Sequence, residues 1–296
     1  MTEHLYKYKN GNVDVTILKD GTKIRKFDGD PAIRFPESID CKITNYCDMN
    51  CQYCHEESDV NGKHADLYVL KQHLLDLPSG IEIAIGGGNP LSHPDLVTFL
   101  NWLRNRGIIP NLTVNQNHIS QYHDLLITLL TNEFIFGLGI SITNDNFDVI
   151  KDLMKYSNNI VFHLIIGIHD IDILNKFNEL PYNKTLLLGY KTFGNGVDYY
   201  EKKSVLIKNN IDRWYKYLPK YFNTHHFSFD NLAIEQLKIK RYFTEKGWNQ
   251  FYMGDDFTNT MYIDAVEQQF APTSRSPERT SFKDISLIEY FQQNHL

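Results

Sequence analysis

Residues 39–54 read Ile39-Asp40-Cys41-Lys42-Ile43-Thr44-Asn45-Tyr46-Cys47-Asp48-Met49-Asn50-Cys51-Gln52-Tyr53-Cys54. Ile39, Cys41 and Ile43 alternate with polar residues, the two-residue period of a β-strand. That strand runs straight into a loop holding three of the chain's four cysteines within eight residues. The fourth, Cys41, sits on the strand and is expected to point into a core. Three thiolates so close in sequence can converge on one soft metal centre, which selects zinc, copper(I) or an iron–sulfur cluster. A four-iron cluster normally takes four cysteines. Three leave one coordination position free, as a catalytic centre does and a structural one does not. The competing reading is a zinc knuckle completed by His55. Its ligand would directly follow Cys54, whereas zinc sites usually separate neighbouring ligands by two to four residues.

Outward from this loop the chain alternates strand and helix. Apolar, β-rich segments at 81–85, 109–114, 134–142, 160–168 and 185–188 follow the first strand at 39–44. Segments with helical apolar spacing lie between them, at 65–77, 94–106, 119–130, 145–156 and 171–178. Strands alternating with helices of this length imply parallel βαβ units. The expected fold class is α/β. In parallel α/β folds the chemistry gathers at the C-terminal ends of the strands, and the polar or glycine-rich stretches fall there. The cysteine loop follows the first strand, and Gly86-Gly87-Gly88-Asn89-Pro90 follows the second. Asn115 and Asn117 follow the third, Ser141 and Thr143 end the fourth, and His169 ends the fifth.

The cysteine spacing, with Tyr53 immediately before the third cysteine, resembles the radical S-adenosylmethionine superfamily. The resemblance implies that Cys47, Cys51 and Cys54 hold one 4Fe-4S cluster, whose remaining iron binds the amino and carboxylate groups of S-adenosylmethionine. It implies a partial (β/α)6 barrel of parallel strands and assigns Tyr53 to the adenine. Gly86, Gly87, Gly88 and Asn89 match the family's glycine-glycine-glutamate-proline motif, which binds the methionine amino group, with Asn89 where glutamate is common. A tight turn would also explain the glycines. Ser141 and Thr143 fall where the family places polar residues against the ribose. Asn115 and Asn117 resemble its third-strand asparagine turn with glycine replaced. Ile168 belongs to a segment, Ile165-Ile166-Gly167-Ile168, like the one lining the adenine pocket. Polar strand ends, turn formers and apolar packing are the plainer readings of these residues.

The remaining sequence frames this core. The 296 residues carry a net charge of −6 and 42% hydrophobic residues, which speaks against a broad nucleic-acid surface. Residues 1–36 hold two alternating segments around Lys19-Asp20-Gly21, read as an N-terminal β-hairpin flap or brace. Residues 37–200 form the barrel core. Residues 201–296 form an α+β C-terminal extension over the barrel mouth, with strands expected at 225–230 and 261–265 and helices at 207–218, 232–243 and 285–292. It lacks cysteines, so no auxiliary cluster is expected. His225, His226 and Asp230 are candidates for substrate contacts. Arg213-Trp214-Tyr215-Lys216-Tyr217 interleaves basic and aromatic residues, as single-strand nucleic-acid surfaces do, or forms an amphipathic helix with snorkelling charges. Neither a signal-peptide pattern at Met1-Thr2-Glu3-His4 nor a membrane-length apolar run is visible. Clustered thiols fit a reducing cytoplasm.

The implied activity is reductive cleavage of S-adenosylmethionine to methionine and a 5′-deoxyadenosyl radical, which abstracts hydrogen from a substrate. The electron would come from a donor such as a flavodoxin or ferredoxin. A peptide or protein side chain is the first expected substrate, a nucleoside or small metabolite the second. A non-catalytic zinc- or cluster-binding module that reads nucleic acid is the alternative of a different class.

Overall fold

The computed structural model describes residues 3–293, so Met1-Thr2 of the targeting reading lies outside the described residues. Ten strands form one large sheet. Along the chain its members are β4 (Ser38–Thr44), β5 (Glu82–Gly87), β6 (Ile109–Asn115), β7 (Gly137–Ser141), β8 (Ile160–Ile165), β9 (Lys184–Leu188), β10 (His226–Phe229), β11 (Thr260–Asp264), β12 (Gln269–Ala271) and β13 (Thr280–Ser281). They lie in the order β10-β9-β8-β7-β6-β5-β4-β11-β12-β13. From β10 to β11 every pairing is parallel, while β12 and β13 add antiparallel at one edge. The α/β expectation holds. The two strands expected within residues 201–296 join this same sheet, β10 beside β9 and β11 beside β4.

Helices α1 (Leu67–His73), α2 (Leu96–Asn105), α3 (His123–Thr131), α4 (Asp148–Leu153) and α5 (Ile173–Phe177) connect the successive strands from β4 to β9. Parallel neighbours require such crossovers. Apolar residues at alternate strand positions, among them Ile39, Ile43, Ile83, Leu138 and Phe162, are fully buried in a core shared with helix residues such as Leu70 and Phe99. The opposite strand face carries Asp40, Lys42, Asn111, Thr113 and small residues, and it lines a cavity of about 780 Å³. Parallel strands packed on both faces read as continuous apolar runs. The alternation here marks a sheet whose inner face is left open.

The N-terminal sheet has three antiparallel strands, β1 (His4–Asn10), β2 (Val13–Leu18) and β3 (Lys23–Lys26), one more than the expected hairpin. Its apolar face of Val13, Val15 and Ile17 packs on Ile109 at the start of β6. The β2–β3 turn docks at the N-terminal ends of the parallel strands. Lys184 Nζ donates to the Asp20 carbonyl at 3.1 Å, and Asn159 Nδ2 donates to the Lys19 carbonyl at 3.2 Å. Lys23 and Glu82 close to 2.6 Å nearby. The sheet thereby forms the cavity's floor.

The long helix α6 (Asn195–Tyr217) begins twelve residues before the expected helix at 207–218. Its first turns, Asp198 to Lys203, hold four exposed charged residues around Tyr199 and Tyr200, a pair too short to set an apolar period. A kink at Lys203 (φ −131°) separates them from the packed half. There, Trp214 is fully buried and donates from Nε1 to the His169 carbonyl at 2.8 Å, while Arg213 pairs with Asp170 and Asp172. The basic–aromatic stretch is thus part of an amphipathic helix that buries Trp214, leaves Tyr215 and Lys216 exposed, and pairs Arg213 with two carboxylates. Helices α7 (Asn231–Leu237), α8 (Glu245–Phe251) and α9 (Leu287–Gln293) complete the fold. Among the described residues no helix is long and apolar enough to cross a membrane.

Candidate metal and cofactor site

The cysteine loop is built on the end of β4 and closed on itself. Asn45 N–H donates to the Lys63 carbonyl at 2.9 Å and Cys47 N–H to the Asp59 carbonyl at 2.8 Å, which folds residues 45–63 into a compact lobe. Its floor is the glycine run. Gly88 and Asn89 N–H groups donate to the carbonyls of Thr44 (2.8 Å) and Tyr46 (2.6 Å). Gly87 has φ +109°, and a Cβ there would lie 2.4 Å from the Thr44 oxygen; at Gly88 it would lie 2.2 Å from the Tyr46 oxygen. Only glycine permits this approach. At Gly86 a Cβ would meet nothing closer than Thr113 Cβ at 3.9 Å, so this glycine faces open space.

Cys47, Cys51 and Cys54 are unpaired thiols, each half-buried, and all three line the one cavity. Burial pushes the Cys47 and Cys51 thiols up, and the charge of Cys54 adds to the effect on both. Three thiols that feel one another across a common space are a donor set suited to a metal centre, whose binding would displace their protons. Asn115 Nδ2 reaches Cys51 Sγ at 4.0 Å. Cys41, by contrast, is 2% exposed in the core. A second grouping lies at the loop's outer side, where Cys47 Sγ, an Asp48 oxygen and a His118 ring nitrogen fall within 4.8 Å of one another. His118 Nε2 is already engaged there by Asp48 Oδ1 at 2.6 Å.

Tyr53, Gly86, Gly87, Gly88, Asn115, Ser141 and Thr143 all line the cavity with the three cysteines. The Tyr53 ring meets Tyr199 edge-on at 5.7 Å, and burial pushes its phenol up to about 12. Thr143 is positioned by Gln116 Oε1, which accepts from its N–H at 2.8 Å. Three expected residues lie outside the lining. Asn89 is 1% exposed and uses Oδ1 to cap the following turn at Leu91 N–H, 3.2 Å away. Ile168 lies in the turn after β8, where its carbonyl accepts from Asn210 Nδ2 at 3.2 Å, and Ile165 and His169 line the cavity instead. Asn117, also outside the lining, accepts from Thr143 Oγ1 at 3.1 Å.

His169 is held through Nε2, 2.7 Å from the Ile142 carbonyl, and through Nδ1, which accepts from the Ile165 N–H at 3.0 Å. His225 is buried against the Leu174 carbonyl at 3.1 Å, and Asp230 caps α7 through Ala233 N–H at 2.7 Å. Both are structural, whereas His226 faces the cavity.

The sequence reading missed a polar wall beside the glycines. Lys42 Nζ lies 2.6 Å from Asp264 Oδ2 and 3.2 Å from Glu56 Oε2, and Tyr262 donates to Glu56 Oε1 at 3.0 Å. Burial works to push the Glu56 carboxyl up. The hydrogen bond and charge of His55, with the Lys42 ammonium, outweigh it and hold the carboxyl down at about 2. His55 itself is kept below the ordinary imidazole value by burial and by Lys191, so Lys42 is the lasting cation at Glu56. Lys191 Nζ lies 3.0 Å from His55 Nε2 and donates to Ser274 Oγ at 3.1 Å. No spacing rule joins residues 42, 56, 191, 262 and 274. The pairing of β11 with β4 brings Lys42 beside Tyr262 and Asp264, and the loops bearing Glu56, Lys191 and Ser274 close around them.

The fold and site together define a parallel α/β protein with a three-thiol loop at the C-terminal mouth of its sheet. No protein-family model and no curated protein matches the chain. Solved structures of SuiB from Streptococcus suis do share its fold. The SuiB complex with the precursor peptide SuiA superposes at TM-score 0.60 with 13% identity, covering 88% of this chain and 65% of SuiB. SuiB bound to S-adenosylmethionine gives 0.57 and 14%, covering 88% and 64%. SuiB alone gives 0.57 and 14%, covering 88% and 66%. The chain therefore spans a little under two thirds of SuiB, and at this identity the likeness is one of fold.

Proposed function

We propose that this chain is a radical S-adenosylmethionine enzyme acting on a peptide or protein side chain. The observation that carries the reading is the convergence of Cys47, Cys51 and Cys54 on one cavity with Gly86, Asn115 and Ser141. The large sheet is read as an open, partial barrel, with residues 1–36 as its floor, 37–200 as its core and 201–296 completing the mouth. Cys47, Cys51 and Cys54 would hold a 4Fe-4S cluster, and the three-thiol set leaves room for S-adenosylmethionine. When bound, the pair supplies one-electron cleavage of the sulfonium to methionine and a 5′-deoxyadenosyl radical, chemistry that belongs to the cofactor.

The chain's own residues bind and orient. Gly87 and Gly88 seat the cysteine loop, Gly86 leaves room for the methionine end, and Tyr53 packs beside the adenine. Ser141 and Thr143 offer hydroxyls to the ribose. A flavodoxin or ferredoxin in a reducing cytoplasm would supply the electron. The fold shared with SuiB, which has been solved with both S-adenosylmethionine and a precursor peptide, supports the peptide over a nucleoside.

The test is to reduce anaerobically reconstituted protein with dithionite in the presence of S-adenosylmethionine. The reading expects 5′-deoxyadenosine from the wild type and none from Cys51→Ala. Equal, background-level product from both would refute it.

A further inference from the structure

We propose that the side-chain amide of Asn115 raises the reduction potential of the metal centre held by the cysteine loop, by donating to the sulfur of Cys51. The inference deepens the reading above and rests on it, since it takes Cys47, Cys51 and Cys54 to hold an iron–sulfur cluster.

Asn115 is the last residue of β6, stands in register with Ser141 of β7, and lines the cavity with the three cysteines. Its amide has one favourable orientation. Oδ1 accepts from the Asn117 N–H at 2.9 Å, closing the turn that asparagine makes with the backbone two residues on. Exchanging the two amide atoms would set the NH2 group against another donor. Nδ2 is therefore turned to the cysteine loop, 4.0 Å from Cys51 Sγ. A thiol is a weak acceptor. Once a metal has displaced its proton the sulfur is charged, and hydrogen bonds to a charged acceptor are shorter and stronger.

The platform beneath this amide is tied down on both sides. Gln116 is buried; its Oε1 accepts from the N–H groups of Thr143 at 2.8 Å and Asn144 at 3.1 Å, and its Nε2 donates to the Asn146 carbonyl at 2.7 Å. Asn117 Oδ1 accepts from Thr143 Oγ1 and Asn144 Nδ2, each at 3.1 Å. His118, 1% exposed, meets Asp48 at 2.6 Å and so fastens the cysteine loop to the same turn. The donor is held at the sulfur in advance, with little left to reorganise when charge arrives.

Reduction adds one negative charge, which the thiolate sulfurs share. A fixed N–H dipole aimed at one of them stabilises the reduced form more than the oxidised form and raises the potential. Hydrogen bonds to the sulfurs are one of the means by which proteins tune such centres. Cys51 is half-buried, so water screens the dipole only in part.

The experiment uses the full chain, reconstituted anaerobically, with potentials measured by EPR-monitored redox titration in the absence of S-adenosylmethionine. Asn115→Ser keeps a neutral oxygen that can accept from the Asn117 N–H but loses the reach to Cys51, whereas Asn115→Ala loses both. The expected result is that Asn115→Ser loads iron as the wild type does, and that both variants have a reduction equilibrium at least threefold less favourable, or about 28 mV lower at about 59 mV per tenfold. Potentials equal to that of the wild type overturn the proposal. So does a shift in Asn115→Ala that Asn115→Ser does not share, which would assign Asn115 to holding the turn alone. Asn115→Thr, with the same acceptor, repeats the comparison if the serine variant fails to fold. Iron loading is read separately: a wild type that takes up no cluster overturns the reading above and this inference with it, while unchanged potentials in loaded protein overturn only the role of Asn115.

Discussion

Lys42 and Asp264, 222 residues apart in sequence, meet at 2.6 Å on adjacent parallel strands, with their Cα atoms in register. Lys42 also holds Glu56, two residues beyond the last cysteine of the loop. One ammonium thus ties together the strand that feeds the cysteine loop, the loop's own tail and the strand contributed from near the C-terminus.

Breaking this pair is expected to be expensive. Both side chains are less than a tenth exposed, and removing one partner of a buried pair leaves an uncompensated charge, costing about 3–5 kcal/mol. Lys42→Ala, which leaves the Asp264 and Glu56 carboxylates without this ammonium, should lower stability by that order in urea unfolding, with the midpoint shifting at an unchanged slope. A loss below about 1 kcal/mol, the range of an exposed pair, would show that the network is solvated.

The glycine run separates a seat from a lining. Gly88→Ala sets a Cβ 2.2 Å from the Tyr46 carbonyl, so the cysteine loop must shift. Gly86→Ala meets only open space. After anaerobic reconstitution, Gly88→Ala should retain less than half of the wild-type iron, and Gly86→Ala all of it. Equal loading of the two variants would contradict the seating role.

His163 projects into the cavity against Gly139, and burial holds its ring down at about 4, below the ordinary 6.5. Between those values the unfolded chain binds a proton that the folded chain does not. Stability therefore rises with pH across the window and is lost as pH falls from 6.5 toward 4. The contribution is at most about 3 kcal/mol, since water in the cavity screens part of it. Urea midpoints measured from pH 7 to pH 4 should fall less steeply for His163→Gln than for the wild type. Identical slopes would contradict the assignment.

Much of the α/β core is legible in the sequence because its strands and helices bury one apolar face each, and Ile39, Ile43, Leu70 and Phe99 repeat at the matching periods. The placement of His226–Phe229 and Thr260–Asp264 is not. Their alternation marks strands, but nothing local says that they flank β9 and β4 in the same sheet. The cysteine loop and Gly86 are legible from short spacings. Asn89 reads as a ligand-facing residue but folds back to cap the turn at Leu91, a choice set by the geometry of Pro90 and the buried turn. Asp40 and Lys42 read only as the polar half of a strand, since the cavity wall they belong to is completed by β11, whose place beside β4 no local pattern reveals.

The most direct measurement is the metal content of anaerobically reconstituted protein, wild type against Cys47→Ala, Cys51→Ala, Cys54→Ala and Cys41→Ala. The account predicts about four irons with matching sulfide per wild-type chain, near-complete loss in each of the three loop variants, and full retention in Cys41→Ala, whose thiol is buried in the core. One zinc ion per chain without sulfide, or iron that survives removal of the loop cysteines, would contradict it.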